Sequence, residues 1–422
     1  MPLQTKHDVV VIGGGPAGST IATLLAKQNR DVLLLESEKF PRYHIGESMV
    51  PGVVPILDEL EVLDKVEAHG FTKKYGATFV WGQDRAPWDV RFSDRSIAAQ
   101  KYGSTYQVIR SEFDDLLLRH AQSQGVDVRE EHKVTNILFD GDRCQGVEFK
   151  NSQGQVHQAT AKYTVDATGQ AAVLGRYLNL VEDDDKLKNI ATWTYFRNVQ
   201  QYDGLAAGNI LTENTPDGWI WVIPRHDGLT SIGWVTTVDK YKELLSDSIE
   251  KTYLQVVTNS AETGRRLVGA QQAEPIRSIR DWSYTCKKFC GPGFMMAGDA
   301  AGFVDPLFST GVWLAMNSGS LGARMLNQAL DNPKSEAEFL NTYESAYKNF
   351  LGDVLSFVKY FYDAHLPKDD YFNKAQNIVQ TDGNWSSRQD FVSLISGLHG
   401  LHSLTNRALA TVPEQKSVAL KS

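Results

Sequence analysis

A glycine-rich turn near the start of the chain constrains its fold more than any other feature. The apolar run 8–12 is typical of a buried strand, 16–29 predicts a helix, and 32–36 predicts a second buried strand. Three glycines in a G-x-G-x-x-G pattern separate the first strand from the helix: Gly13, Gly15 and Gly18. These segments predict a β–α–β unit with parallel strands that are covered on both faces.

The spacing of these glycines favours a dinucleotide site. In such a turn Gly13 allows the tight bend, Gly15 lets a pyrophosphate approach the backbone, and Gly18 lets the helix pack on the strand. The start of the helix offers free N–H groups and a positive dipole end to the phosphates. Glu36, at the end of the second strand, is placed to accept hydrogen bonds from a ribose hydroxyl. The glycine motif alone would fit any glycine-rich turn. Here, however, the first strand, the helix, the second strand and Glu36 all occur at the spacing that a dinucleotide site requires.

The middle of the chain has a different pattern. Segments 77–92 and 190–235 alternate with Trp, Thr, Val and Phe, as antiparallel strands do. Between them we predict a helix over 111–123. Ser111 would begin it, with Asp114 three residues on, in a capping-box-like arrangement that has Asp in place of Glu.

We therefore predict a mixed α/β fold in which a Rossmann-like, parallel-sheet nucleotide domain is interleaved with a β-rich substrate-side domain. A helical C-terminal segment follows them. The expected ranges are 1–75, 100–180 and 275–335 for the nucleotide domain, 76–99 and 181–274 for the β-rich domain, and 336–422 for the helical segment.

Composition excludes several classes of protein. The formal charge is −8 and the basic residues are scattered, whereas nucleic-acid binding needs them clustered, so we expect no such partner. Three cysteines are too few for a disulfide framework, and without a second ligand pair they predict no metal site. The sequence has no charged-then-apolar leader and no apolar run of about 20 residues, so we expect a cytoplasmic protein without a membrane segment.

Further motifs specify the dinucleotide. The motif G-D-A-A-G at 298–302 follows an apolar strand, 294–297, and D-A-T-G lies at 166–169. Together with V-x-R-x-x-F-D at 108–114, they resemble the large family of FAD monooxygenases, reductases and halogenases over residues 7–330. The resemblance implies that the nucleotide domain binds FAD.

The same resemblance implies roles for four further residues. Asp299 would bond the ribityl chain of the flavin, and Ser48 belongs to a loop, I-G-E-S, that lies near the flavin in the family. Arg42 and Arg110 would contact the FAD phosphates or ring, unless they are ordinary exposed arginines. Since no second Rossmann fingerprint is visible, we expect FAD to arrive already reduced, from a separate flavin reductase.

The motif W-x-W-x-I-P at 219–224 narrows the class. Two tryptophans at i and i+2 face the same side of a strand, and they could simply belong to a core. Enzymes similar to geranylgeranyl reductases carry a related element with Tyr for the first Trp and Phe for the Ile. The complete motif resembles that of the flavin-dependent halogenases, which implies that Trp219 and Trp221 shield the flavin from organic substrate.

A second halogenase-like motif, F-x-x-P-x-x-S-x-G, lies at 303–311. The resemblance implies that backbone N–H groups at Thr310 and Gly311 hold chloride or bromide, and an uncovered helix start suits a small anion. Tryptophan halogenases have Glu where this chain has Phe308. The chain is therefore more similar to the halogenases that act on phenols or pyrroles, often tethered to a carrier protein.

Lys74 is the candidate catalytic residue. Aligned on Phe79, it falls where the family has its reacting lysine. An ammonium can donate a hydrogen bond to hypohalous acid, a neutral amine can form a haloamine, and burial shifts lysine towards the amine. The adjacent Lys73 should lie on the opposite, solvated face.

Together these motifs predict an FADH2-dependent halogenase that uses O2 and halide and forms hypohalous acid at a flavin C4a-hydroperoxide. The acid would pass to Lys74, which directs halogenation of an electron-rich aromatic ring. The alternatives are an FAD monooxygenase or a geranylgeranyl-reductase-like enzyme on the same fold, and a non-catalytic flavoprotein partner. All of them share the FAD site, so FAD binding alone does not separate them.

Overall fold

A computed structural model describes residues 4–94, 102–245, 247–379 and 385–398. Residues 95–99 of the predicted β-rich range 76–99 therefore lie outside the described residues, as do residues 380–384 and 399–422 of the predicted helical range 336–422. The strands are β1 Gln4–Ile12, β2 Val32–Leu35, β3 Thr72–Lys74, β4 Gly76–Val80, β5 Pro87–Arg91, β6 Thr105–Gln107, β7 Asp127–Arg129, β8 Lys133–Asp140, β9 Arg143–Lys150, β10 Val156–Asp166, β11 Val181–Arg197, β12 Ile210–Thr215, β13 Gly218–Pro224, β14 Thr230–Thr237, β15 Gln271–Gln272, β16 Arg277–Cys286, β17 Cys290–Gly291, β18 Phe294–Met296 and β19 Gly302–Phe303.

The α-helices pack against both sheets and continue into the C-terminal segment. In chain order they are α1 Pro16–Ala26, α2 Val53–Glu59, α3 Leu63–His69, α4 Arg110–Ser123, α5 Val173–Tyr177, α6 Val238–Leu244, α7 Ile249–Asn259, α8 Ala261–Arg266, α9 Gly311–Asp331, α10 Glu336–Phe361, α11 Lys368–Val379 and α12 Ser387–Ile395. Within the described part of the chain, every helix is too short or too polar to span a bilayer.

The first sheet has the order β17-β18-β10-β1-β2-β7, and the pairs from β18 to β7 are parallel. Its central strands are apolar and buried, as a sheet covered on both faces requires. The carboxyl ends of parallel strands meet at one edge, so the turns that follow β1, β2, β10 and β18 lie side by side. This confirms the predicted parallel sheet.

The second sheet has the order β19-β16-β11-β14-β13-β12-β4-β5, and its pairs are antiparallel except for the parallel pair β12–β4. The predicted mixed α/β fold and helical C-terminal region are thus confirmed. The division of the chain into the domain ranges given above stays a prediction. Strand β13 lies inside this sheet, between β14 and β12, and carries the W-x-W-x-I-P motif.

Candidate active site

A cavity of about 510 Å³ lies at the carboxyl edge of the first sheet. The turns after its parallel strands contribute Gly13, Glu36, Ala167 and Asp299 to the lining. Residues from the second sheet form the other side of the lining, so the cavity lies between the two sheets. A ligand crevice is expected at this edge of a doubly wound sheet.

Packing explains two of the three motif glycines. Gly13 has a φ of +101°, and a Cβ there would lie 2.5 Å from the carbonyl oxygen of Ala167. A Cβ on Gly18 would lie 1.9 Å from the carbonyl oxygen of Gly13, so any side chain would push α1 away from the turn. Gly15 is different, because it lines the cavity. A Cβ at this position would meet only the Arg42 guanidinium, at 3.5 Å. The turn therefore leaves room for a pyrophosphate beside the start of α1.

The carboxylate of Glu36 is held in place at the same edge. Its Oε2 atom accepts a hydrogen bond from the Gly14 backbone N–H at 2.6 Å, and its Oε1 atom accepts one from the Glu38 N–H at 2.8 Å. Glu36 lines the cavity after β2. The arrangement fits the ribose contact that the sequence predicts.

Two arginines at the cavity share one buried carboxylate. Arg110 makes a bidentate contact with Asp114 (Nε–Oδ1 2.8 Å, Nη2–Oδ2 2.9 Å), and Arg42 Nη1 lies 3.2 Å from Asp114 Oδ2. Burial would raise the pKa of Asp114, but the charges and hydrogen bonds of Arg110, with Arg42 and His44, together hold that pKa below its usual value. Asp114 therefore fixes both guanidinium groups beside the cavity.

This use of Asp114 corrects the predicted start of α4. The helix begins at Arg110, its N-cap is Ile109, and no side-chain cap is present. The capping-box prediction for Ser111 and Asp114 is wrong, because the carboxylate serves the two arginines and not the helix N-terminus.

Asp299 lines the cavity from the turn that follows β18. Burial raises the pKa of its carboxyl to about 6, against the opposing charge of Arg110. A carboxylate in this position can accept hydrogen bonds from the hydroxyl groups of a bound cofactor. Its placement beside the glycine turn fits a ribityl contact.

The two motif tryptophans are buried and face the cavity. The ring centroids of Trp219 and Trp221 lie 6.0 Å apart, and Trp193 from β11 adds a third ring, 6.4 Å from Trp221. A Cβ at Gly233, on the neighbouring strand, would lie 2.0 Å from the Trp221 ring. Sequence reasoning missed Trp193, although it lies in the alternating segment 190–235.

Trp219 is fixed from behind by the C-terminal segment. Its Nε1 atom donates to the Tyr362 hydroxyl at 2.9 Å, and that hydroxyl donates to Asp305 Oδ2 at 2.6 Å. Asn189 donates to the same carboxylate oxygen at 2.9 Å. Burial raises the pKa of Asp305 to about 6, and the bonds from Tyr362 and Asn189 lower it. Tyr362, the residue after α10, therefore links Trp219 in the cavity lining to Asp305 in the 303–311 motif.

Replacing Tyr362 by phenylalanine is expected to lower the free energy of unfolding by about 1–3 kcal/mol, because the Trp219 N–H and the Asp305 carboxylate each lose a buried partner. Urea denaturation measures this change. Tyr360→Phe, at another half-buried tyrosine near the end of α10, is the matched control and should change stability by less than about 0.5 kcal/mol. Equal losses in the two variants would contradict the proposed connection.

The 303–311 motif ends at the start of the long helix α9. Ser309 has a φ of +60°, and Gly311, the first helical residue, lines the cavity with open space on its Cα. Thr310 is the buried N-cap. The first turn of a helix has N–H groups without intrahelical partners, so this end can bind an anion in the cavity.

Phe308 lies in an aromatic cluster beside this turn. Its ring stacks on Phe357 with centroids 5.3 Å apart and meets Phe361 edge-on at 4.7 Å. Phe79 from β4 and Phe391 from α12 complete the cluster. The C-terminal helices therefore give an apolar environment to the position that carries Glu in tryptophan halogenases.

Lys74 is buried, with 1% of its surface exposed. Its Nζ atom donates to Ser48 Oγ and to the Met49 carbonyl oxygen, both at 2.8 Å. Burial lowers its pKa from 10.5 to about 7. Lys73 lies on the other face, where its ammonium contacts Glu67 and Tyr106 at the surface, as strand alternation predicts.

Strand β6 explains why Lys74 and Ser48 meet. On one side it pairs with β3, which places Lys74 opposite Thr105. On the other side it holds the 47–49 segment, since Val108 N–H donates to Glu47 O and Met49 N–H donates to Tyr106 O. Ser48 lines the cavity, so its hydroxyl lies between the cavity and the lysine.

The loop before Ser48 is held by an ion pair that sequence reasoning missed. Glu47 is buried and accepts from Arg225 at 3.1 Å, and the Arg225 guanidinium lies 4.4 Å from the Tyr195 ring centroid. Burial raises the pKa of Glu47 despite that arginine. Arg225 directly follows the W-x-W-x-I-P motif, which is the one sequence signal that could have drawn attention to it.

The structure places most of the predicted residues on one surface. Those that line the cavity are Gly13, Gly15, Glu36, Arg42, Ser48, Arg110, Trp219, Trp221, Asp299 and Gly311. Lys74, Gly18 and Thr310 lie behind this lining. The groups present fit FAD, since a phosphate-sized space at a helix start, a ribose acceptor and a second buried carboxylate share one crevice.

Comparison with known proteins identifies the class and then the family. Residues 6–358 match the family described as "FAD binding domain". A tryptophan 2-halogenase of Chondromyces crocatus is 34% identical over 416 residues, covering 96% of this chain and 78% of that protein. The solved structure of the myxobacterial chondrochloren halogenase has a TM-score of 0.79 at 32% identity, covering 94% of this chain and 99% of that one.

A third relative, from Pseudomonas fluorescens, is a chlorinase of 1H-pyrrole-2-carbonyl groups on a peptidyl carrier protein. It is 32% identical over 382 residues, covering 85% of this chain and 84% of that protein. The chain is an FAD-binding oxidoreductase. Within that class it belongs to the flavin-dependent halogenases, and its cofactor is FAD, used with halide and O2.

Proposed function

We propose that this chain halogenates a phenolic or pyrrolic ring, free or tethered to a carrier protein, through Lys74. The observation that carries the proposal is a buried lysine with a pKa of about 7 that is hydrogen-bonded to a serine of the cavity wall. Burial lowers that pKa, and among the described residues the amine is hydrogen-bonded to a hydroxyl and a carbonyl oxygen and not to a carboxylate. Such an amine is nucleophilic near neutral pH.

Each other residue has a role at the cofactor. Glu36 accepts a ribose hydroxyl, Asp299 accepts a ribityl hydroxyl, and Gly15 with the start of α1 holds the pyrophosphate. Arg42 and Arg110, fixed by Asp114, face the same crevice. When bound in its reduced form, FAD supplies the oxygen-derived oxidant that converts halide to hypohalous acid. We expect a separate flavin reductase to deliver it.

Halide and substrate occupy different sides of the tryptophan layer. The free N–H groups at Thr310 and Gly311 position halide in the cavity. Trp219 and Trp221 fill the space through which an organic ring would approach the flavin. Hypohalous acid is small and can pass to Lys74, whereas an aromatic substrate cannot pass in the opposite direction.

At Lys74 the amine form accounts for the hydrogen bonds present. Its two N–H groups satisfy Ser48 Oγ and Met49 O, which leaves the lone pair free. The lone pair attacks the halogen of hypohalous acid, and an N–halogen bond forms as the halogen–oxygen bond breaks. The departing hydroxide takes a proton from the nitrogen and leaves as water. The substrate ring then takes the halogen and loses a proton, which restores the amine.

The substrate class rests on the environment of Phe308. Among the described residues, the rings that surround Phe308 are those of Phe79, Phe357, Phe361 and Phe391, and Phe308 itself offers no carboxylate to bind an indole N–H or assist Lys74. One relative is named for tryptophan and another for carrier-bound pyrrole, so the relatives' names do not favour either substrate. The support for the proposal is the aromatic cluster around Phe308.

An assay with reduced FAD from an added reductase, O2 and bromide or chloride tests the function. Phenol, pyrrole-2-carboxamide and tryptophan would be offered in parallel, and mass spectrometry would detect the halogen isotope pattern. We expect halide-dependent products from phenol and pyrrole. Oxygenated or reduced products without halogen, or halogenation of tryptophan alone, would contradict the proposal.

A further inference from the structure

Two histidines and a glutamate meet outside the cavity lining. His69 is the last residue of α3, Glu112 lies in the first turn of α4, and His226 lies in the turn between β13 and β14. The Nε2 atom of His69 is 2.8 Å from Glu112 Oε2, and the Nε2 atom of His226 is 3.3 Å from the same oxygen. One ligand atom from each residue lies within 4.8 Å of the others.

One buried ring fixes both imidazoles. His69 stacks on Phe71 with centroids 4.2 Å apart, and His226 meets Phe71 edge-on at 5.3 Å. Phe71 is 4% exposed and packs against Phe113. The imidazoles are therefore oriented by packing and not only by the carboxylate between them.

The three ligand atoms lie close enough together for one metal ion to contact them all. A zinc ion binds imidazole nitrogen at about 2.0–2.1 Å and carboxylate oxygen at about 2.0–2.2 Å, so tetrahedral ligand atoms lie about 3.3 Å apart. The two nitrogen–oxygen distances here are 2.8 and 3.3 Å. A lone ion pair would need only one of the histidines, whereas both converge on one oxygen.

We propose that His69, Glu112 and His226 form a site for a divalent transition-metal ion of the zinc class, with water in the fourth position. Imidazole and carboxylate ligands suit zinc and its neighbours in the first row. The cysteine pattern predicts no metal, and this site has no cysteine. Its three ligands lie far apart in the sequence, so no ligand spacing marks it.

The position of the site indicates what a bound ion would do. His69 immediately precedes the segment that leads to Lys74 in β3, Glu112 lies two residues after Arg110, and His226 directly follows Arg225. Arg110 and Arg225 both hold the 45–48 loop at the cavity. A metal ion would therefore tie together the three segments that frame Ser48 and Lys74, without contacting cofactor or substrate.

Zinc binding to the full-length, FAD-loaded protein tests the site. The protein should carry no histidine tag and should first be stripped with a chelator. Calorimetry with zinc chloride, and metal analysis after gel filtration, are expected to give one tightly bound zinc per chain. His226→Gln and Glu112→Gln should each weaken binding by roughly 10–100-fold or more, since loss of a mere supporting partner already costs that much.

His365→Gln is the matched control, because it removes an exposed histidine elsewhere. It should bind zinc like the wild type, and circular dichroism should show that all three variants are folded. Zinc should also raise the Tm of the wild type and of His365→Gln, but not of His226→Gln. If the wild type retains no zinc, or if His226→Gln retains as much as the wild type, the site does not exist.

Discussion

Replacing Lys74 by alanine is expected to lower the halogenation rate by roughly 10²–10⁴-fold, the range for loss of a positioned reacting group. The physical reason is that the proposed carrier of the halogen is this buried amine, about half of which is neutral near pH 7 because its pKa is lowered to about 7. FAD affinity should be unchanged, because Lys74 lies behind Ser48 and not in the cavity lining. Product formation by mass spectrometry and FAD titration by fluorescence measure the two quantities.

Lys73→Ala is the matched control for this prediction. It removes the neighbouring charge, which lies on the solvated face with 40% of its side chain exposed and contacts Glu67. We expect its halogenation rate to stay within about twofold of the wild type, since its side chain lies on the opposite face of β3 and surface substitutions usually change stability little. Monochlorodimedone should still be halogenated by Lys74→Ala, because the residues that hold FAD and halide remain. A Lys74→Ala enzyme that halogenates its aromatic substrate at the normal rate would rule out the amine as carrier.

Features set by neighbouring residues could be predicted from the sequence. The glycine turn is one of them, because the tight bend at Gly13 and the close approach at Gly18 involve only β1, α1 and the adjoining strand. The alternation of side chains along strands is a second such feature. It predicts that Trp219 and Trp221 share one face and that Lys74 is buried while Lys73 is exposed, as the structure has them.

Features that depend on distant segments could not be predicted. The hydroxyl of Tyr362 meets Trp219 across 143 positions of sequence, and Arg225 meets Glu47 across 178. No local pattern contains such contacts. The error at Ser111 is only partly of this kind, because Asp114 binds Arg42 from a different segment but also Arg110, four residues earlier in the same helix.

The lysine that serves the chemistry should also destabilise the fold. The difference between a pKa of 10.5 and one of about 7 corresponds to on the order of 5 kcal/mol, which the folded state loses when Lys74 is charged. Methionine has similar length and no charge, so Lys74→Met removes this cost. It leaves Ser48 Oγ and Met49 O without their donor, which costs about 1–3 kcal/mol. We therefore expect Lys74→Met to be inactive but about 2–4 kcal/mol more stable than the wild type at about pH 6.

The advantage of Lys74→Met should depend on pH in a defined direction. Between pH 7 and 10.5 the unfolded wild type binds a proton at Lys74 that the folded protein does not, so the free energy of unfolding of the wild type rises with pH in this window. Lys74→Met lacks this dependence, and other titrating groups cancel in the difference between the two proteins. Urea denaturation at about pH 6, 8 and 9.5 should show the difference constant below about 7 and shrinking above it. A difference that does not change with pH would mean that the charge on Lys74 is not what destabilises the fold, and that its amine is not held neutral by burial.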